Sequence, residues 1–122
     1  NEIVRATIEA VAYQTYDLFE AMKHDGLRPK IVKVDGGMVN NNWFSQFLSD
    51  IVNVKVLRPK VQETTALGAA FMAGLHLGVY KSLKDISKNW SIDKKFSPKM
   101  KNKKRTKLIK GWLKAIKRTL IN

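Results

Sequence analysis

Residues 31–51, IVKVDGGMVNNNWFSQFLSDI, hold the passage whose reading decides the fold. A short β-branched run, 31–34, is followed by an acid and two glycines, then by three asparagines. Trp43, Phe44, Phe47, Leu48 and Ile51 then recur at three- and four-residue steps, the period of a helix about ten residues long. The first run is bounded by Pro29 and Gly36, which predicts a strand. A strand, a glycine turn and a helix with capping residues make the opening of an α/β unit. Two explanations of the turn stand side by side. It can be a tight structural link, or a place where the backbone must let a ligand come close.

The flanking sequence extends the same pattern. Upstream, Val4, Ile8, Val11, Ala12, Thr15, Phe19 and Met22 form an apolar stripe that predicts an amphipathic helix over 2–24, with Gly26 placed for a left-handed end. Downstream, VKVL (54–57) predicts a second strand stopped by Arg58-Pro59. Thr64 or Thr65 can cap a third helix running to about Val79. That helix is rich in alanine and glycine, and it reads as a buried helix lying close against a sheet or another helix. The order αβαβα with short links implies an α/β fold with parallel strands and right-handed crossovers. Two parallel strands are few for such a sheet, so further strands are expected before Asn1. After residue 80, SLKD (82–85) resembles a capping box, 89–97 reads as loop, and Ser97-Pro98 can open a final helix. In that helix Leu108, Ile109, Trp112, Leu113, Ile116 and Leu120 share one face, with lysines mostly opposite.

Charge divides the chain. Residues 1–80 hold 8 Lys/Arg and 8 Asp/Glu, whereas 81–122 hold 15 and 2, which accounts for the whole net charge of +13. The expected organisation is therefore a neutral unit, 1–80, and a basic segment, 81–122, whose final helix docks on it through Trp112. A basic amphipathic helix could suit nucleic acid, an acidic partner or an anionic membrane surface. The tail lacks interleaved aromatics for base stacking, and its apolar face is needed to hold it down, so a solvated lysine face is the plainer reading. With 18 Lys against 5 Arg, an AT-rich coding sequence would produce the same bias. The 122 residues contain no cysteine, which removes a disulfide framework and thiolate metal sites. The stretch ALGAAFMAGLHLGVY (66–80) is shorter than the ~20 residues a bilayer span needs. The start, NEIVRATIEA, lacks the pattern of a signal peptide.

Chemistry-bearing motifs are few. Walker A and G-x-G-x-x-G patterns are absent. Asp35-Gly36-Gly37 sits at the carboxyl end of a strand, where ligands of open α/β sheets gather. The helix starting near Asn41 aims free N–H groups at the same space. Asn40, Asn41 and Asn42 can cap that helix or bond a base or ribose. Asp35 can steady the turn, or serve as a base or metal ligand. Asp50 reads as a helix-end charge, Glu63 as a helix-start charge, and His24 and His76 as helix-end residues. No Ser-His-Asp or metal-ligand spacing occurs, so no catalytic or metal-binding residue is assigned.

Four segments together carry a resemblance: RATIEAVAYQT (5–15), KVDGGMVNNNWFSQFLSD (33–50), RPKVQETTALGAAFMAGLHLGVY (58–80) and GWLKAIKR (111–118). They resemble the C-terminal quarter of the sugar-kinase family, built on the actin/Hsp70-like ATPase fold. The combination of ETTALGAA with the GW-containing last helix resembles its glycerol-kinase branch. The resemblance implies an incomplete ribonuclease-H-like lobe, lacking its opening strands. It implies ATP and Mg²⁺ as cofactors, glycerol as a substrate held by residues outside this chain, and a cytoplasmic enzyme that is a homo-oligomer at full length. Another polyol or sugar is the alternative within the family. Carried over by position, Gly37 and Asn41 match nucleotide contacts, and Gly36 and Asp35 belong to the same turn. Met38 and Asn40 depart from the small residues often found at their places, and KMKNKKR (99–105) lacks carboxylates present in some relatives.

Overall fold

The structure, a computed structural model, describes residues 1–120; the last two residues of the basic segment lie outside them. α1 runs Glu2–His24. Its alanines and unbranched side chains favour the helix, Glu2 sits in its first turn, and Lys23 and His24 in its last, each complementing the helix dipole. It ends in a Schellman motif. Gly26 takes φ +83° and donates to Lys23 O (3.1 Å), and Leu27 N–H donates to Met22 O (2.9 Å). β1 (Ile31–Lys33) leads through the glycine turn and a 3₁₀ turn (Gly37–Asn40) into α2 (Asn42–Val52). β2 (Lys55–Pro59), α3 (Thr64–His76), α4 (Leu83–Ser87), β3 (Ile92–Phe96) and α5 (Asn102–Thr119) complete the order.

The sheet is mixed, in the order β1-β2-β3. β1 and β2 are parallel, with Val32 opposite Val56. β2 and β3 are antiparallel, with Val56 opposite Phe96. The core lies where α1 and α2 cover this sheet. Ala12, Tyr13 and Phe19 from α1 meet Phe44, Phe47, Leu48 and Ile51 from α2, over Val56 and Phe96. Tyr13 packs edge-on to Phe47 and stacks on Trp112 at 5.4 Å, and Trp112 Nε1 donates to Asp17 (2.8 Å), so α5 is docked on α1. Truncating one of these buried aromatics would cost about 3–5 kcal/mol.

Several expectations are corrected. The stretch 89–97 is not all loop, because 92–96 forms β3. Its side chains read Ile-Asp-Lys-Lys-Phe, and only Phe96 is buried, so it shows no alternation. Charged residues on an edge strand are a usual guard against unwanted pairing, and here they hide the strand. β2 does not stop before Arg58-Pro59 but includes both. The register shifts between Arg58 and Pro59, where the missing proline N–H is tolerated. Neither Thr64 nor Thr65 caps α3; the N-cap is Glu63, without a side-chain bond. α3 ends at His76 rather than Val79, closed by Gly78 at φ +75°. None of its residues is buried, so the small-residue face is not covered by any described element. α5 starts at Asn102, not at Ser97-Pro98. Asp50 explains that start. Its buried carboxylate accepts from the N–H groups of Lys99 (2.6 Å) and Met100 (3.0 Å) and from Gln46 (3.1 Å), so it is an anchor and not a free helix-end charge.

Candidate functional site

The Asp35–Asn41 turn hangs from the carboxyl end of β1. Val34 N–H still bonds to Leu57 O (3.1 Å), after which the chain leaves the sheet. Gly36 takes φ +83° and ψ 170°, a region open essentially to glycine alone. Its N–H donates to Gln62 O (3.1 Å), which ties the turn to the segment before α3. Thr64 Oγ1 hydrogen-bonds to the Asp35 carboxylate. Asp35 therefore steadies the turn, one of the two roles read from the sequence.

The two glycines differ. Gly36 is demanded by backbone conformation. Gly37 has no positive φ, and a Cβ built on it meets nothing within 4 Å. Nothing in this chain requires a glycine at 37, and the space in front of it is open. Met38 beside it is 46% exposed, while Val39 is buried beneath and anchors the turn to the core.

Asn41 is the N-cap of α2. Its Oδ1 accepts from Trp43 N–H (2.9 Å) and Phe44 N–H (3.2 Å). One of the two readings for the asparagines is thus realised at Asn41, and the exposed Nδ2 amide remains to donate. Asn42 Oδ1 and the Asn40 carbonyl take bonds from Arg58 (3.1 and 3.2 Å). His24 and His76 are exposed at the last positions of α1 and α3.

Arg58 is the residue that sequence reasoning missed. It is 8% exposed. Nη1 donates to Val39 O (2.8 Å) besides the Asn40 and Asn42 bonds, while Nε and Nη2 both reach Asp93 Oδ2 on β3 (2.7 Å). One guanidinium thus joins β2, β3 and the 3₁₀ turn. A signal existed: an arginine directly after a buried apolar run must find partners. Thr64, read as a cap, instead holds Asp35.

The arrangement is a shelf rather than an enclosed pocket, since 35–38 and 40–43 are all exposed. At one side stand backbone groups around Gly37, and at the other the Asn41 amide, whose oxygen already caps the Trp43 and Phe44 N–H groups of α2. Such a shelf can take a flat, hydrogen-bonding ligand. For a divalent cation the donors are wrong. Asp35 is bonded to Thr64, and among the described residues no three His, Cys, Asp or Glu side chains gather in a metal-ligand group. A cavity of about 490 Å³ lies elsewhere, between α1 and α5.

Known proteins share both sequence and shape. Residues 1–77 match the FGGY family of carbohydrate kinases, C-terminal domain. A glycerol kinase of Thermoanaerobacter pseudethanolicus is 55% identical over 121 residues, and one of Clostridium botulinum is 52% identical. Each alignment covers 98% of this chain but 24% of the relative, so the chain spans about a quarter of their length. Among solved structures, Plasmodium falciparum glycerol kinase with ADP superposes at TM-score 0.81 with 41% identity, over 98% of this chain and 24% of that one. A ligand-bound xylulose kinase from Lactobacillus acidophilus gives 0.77 at 25% identity, over 99% of this chain and 25% of that one.

Proposed function

This chain belongs to the FGGY family of carbohydrate kinases, as its C-terminal domain, and we propose that it forms the adenosine side of the nucleotide pocket in an ATP-dependent glycerol kinase. The reaction of the whole enzyme is glycerol plus ATP to glycerol 3-phosphate plus ADP. Relatives above 50% identity named glycerol kinase, and a similar structure that contains ADP, support both the substrate and the nucleotide. Xylulose kinase superposes almost as well at lower identity, so the fold by itself does not choose the sugar or polyol. The sequence identity carries that choice.

One observation carries the site assignment: Gly37 is a glycine that neither φ nor packing requires, and it faces open space at a strand's carboxyl end. A side chain there would stand where adenine or ribose approaches. Gly36 shapes the turn. Asn41 spends its oxygen on capping and offers its Nδ2 to the nucleotide. Phosphoryl transfer depends on positioning and charge neutralisation, and this chain would supply positioning. Mg²⁺ would be held by donors and phosphates outside these residues, because the acids here do not form a cation site.

The unpaired outer edge of β1 and the uncovered α3 support the reading of an incomplete ribonuclease-H-like lobe. In this reading residues 1–80 belong to the nucleotide lobe and 81–122 to a basic segment docked on it. In the same reading the full-length enzyme is cytoplasmic and homo-oligomeric. No helix among the described residues is long and apolar enough to cross a membrane. On the apolar side of α5, Trp112 packs on α1, while Leu113 and Leu120 stay exposed.

The test is steady-state kinetics on the full-length protein. Gly37→Val should raise KM for ATP by roughly tenfold or more, the cost of one lost contact surface, and leave KM for glycerol within a factor of about two. Equal ATP KM values for the variant and the parent would remove the assignment.

A further inference from the structure

At the end of the sheet opposite the Asp35–Gly37 turn, α1, the α2–β2 connection and α5 border the half-open cavity of about 490 Å³. That volume lies in the range of small-molecule sites. Its charged lining is Lys23, Arg105 and Lys110 against one acid, Glu20. Glu20 is taken by Lys23 (2.5 Å). Arg105 and Lys110 stand in none of the ion pairs among the described residues. Arg105 Nη2 donates to Asn102 Oδ1 (3.0 Å), but its Nε is buried without an acceptor.

The neutral lining suits the same ligand. Burial, and next the Glu20 carboxylate, push the Tyr16 phenol up, so it remains a donor at neutral pH. Asn53, in the left-handed conformation at the end of α2, adds a carboxamide. The carboxyl end of α2 opposes an anion there, but with about half a charge. Arg105 and Lys110 bring two whole ones.

We propose that this cavity binds a small phosphate-bearing anion, with Arg105 and Lys110 as its two cations. A charge-assisted bond from either is stronger than a neutral one, and the remaining volume accommodates the rest of a phosphomonoester. Nothing in this proposal depends on the nucleotide reading of the glycine turn.

Crystals of the full-length protein soaked in tungstate, a phosphate mimic with strong anomalous scattering, locate the site directly. The expected result is an anomalous peak between Arg105 and Lys110. Calorimetric titration with inorganic phosphate should show an affinity that falls about tenfold or more in Arg105→Gln, as for one charge-assisted bond, and less in Arg105→Lys. Lys110→Gln, on the exposed face of α5, keeps the test valid if the Arg105 variant misfolds. A cavity without a peak, a cavity filled by another part of the full-length chain, or phosphate affinity unchanged in both Gln variants overturns the proposal.

Discussion

Replacing Arg58 by methionine separates two contributions of one side chain. Methionine keeps an unbranched apolar stem against Phe96, over which the guanidinium now sits at 5.7 Å. The substitution removes the bonds to Val39, Asn40, Asn42 and Asp93. The loss is smaller than five contacts to four partners would suggest, because only the bond to Val39 is fully buried. The Val39 carbonyl retains Ser45 Oγ as donor (3.1 Å). Asn40 and Asn42 are exposed and can bond water, and the Asp93 side chain is 42% exposed. Charge-assisted bonds resolvated to this extent leave about 2–3 kcal/mol of lost stability. The functional effect is expected to be the larger signal. The freed 3₁₀ turn carries Gly37 at one end and adjoins Asn41 at the other, so the shelf loses its fixed geometry. In the full-length protein, ADP affinity measured by calorimetry should fall roughly five- to twentyfold, from about 1–2 kcal/mol of ordering lost at the site. Asp93→Asn, which touches only the exposed end of the network, should change stability and affinity little. If Asp93→Asn proves as damaging as Arg58→Met, the ion pair matters and the turn bonds do not. If Arg58→Met binds ADP like the parent, the positioning argument fails.

Gly36→Ala should destabilise the protein by about 1–3 kcal/mol, because φ +83° with ψ 170° excludes a Cβ. Gly37→Ala should leave thermal stability nearly unchanged while weakening ADP binding; a reversed pattern in paired melting and titration experiments would reject the division of roles. Burial, then the Glu9 carboxylate, raises the Tyr13 phenol to about 12 from its ordinary 10.0. Its stabilising contribution is complete below about pH 10 and is lost as pH climbs through about 12. Urea unfolding at stepped alkaline pH should therefore show a decline that Tyr13→Phe flattens, and an identical slope in both proteins would contradict the shift. Asp50→Ala leaves the N–H groups of Lys99 and Met100 without their acceptor, at about 2–3 kcal/mol. Limited proteolysis should then cut near 97–101 first, and unchanged cleavage there would show that Asp50 is not the anchor.

The αβαβα order was legible because its signals are local. Helical periodicity in 2–24, β-branched runs beside proline and glycine, and Gly26 past a helix end each depend on a few neighbouring residues. β3 was not legible, since Ile92-Asp93-Lys94-Lys95-Phe96 becomes a strand only by pairing with β2, thirty-odd residues earlier in the chain. The same holds at the site. The Asp35-Gly36-Gly37 turn and the Asn41 cap follow from local chemistry, but Arg58 and Thr64 reach it from sequence separations of 16 to 29 residues. Long-range partners of a polar side chain leave no periodic trace. A buried arginine or aspartate can be suspected from an apolar neighbourhood, as at Arg58 and Asp50, but its partner cannot be read.

The charge boundary at residue 80 acquires a physical explanation from these contacts. The basic segment has only two acids, and both are engaged internally, Asp93 with Arg58 and Asp85 with Lys88. The segment that supplies a strand beside Arg58 also brings it Asp93, a partly exposed partner at the outer end of its network. Lys33 of β1 in turn lies 4.0 Å over the Trp90 ring, at the entry to β3, a cation–π contact that joins the neutral part to the basic one. On α5 every charge is positive, and lysines four apart repel one another. The helix is held instead by its other side, where Trp112 stacks on Tyr13 and Asp17 receives its indole N–H. The lysines carry charge without building the fold, so their replacement by glutamine should cost little stability. Loss of Trp112 should loosen the C-terminal half of the helix, while Leu108 and the Asp50 anchor still hold its start.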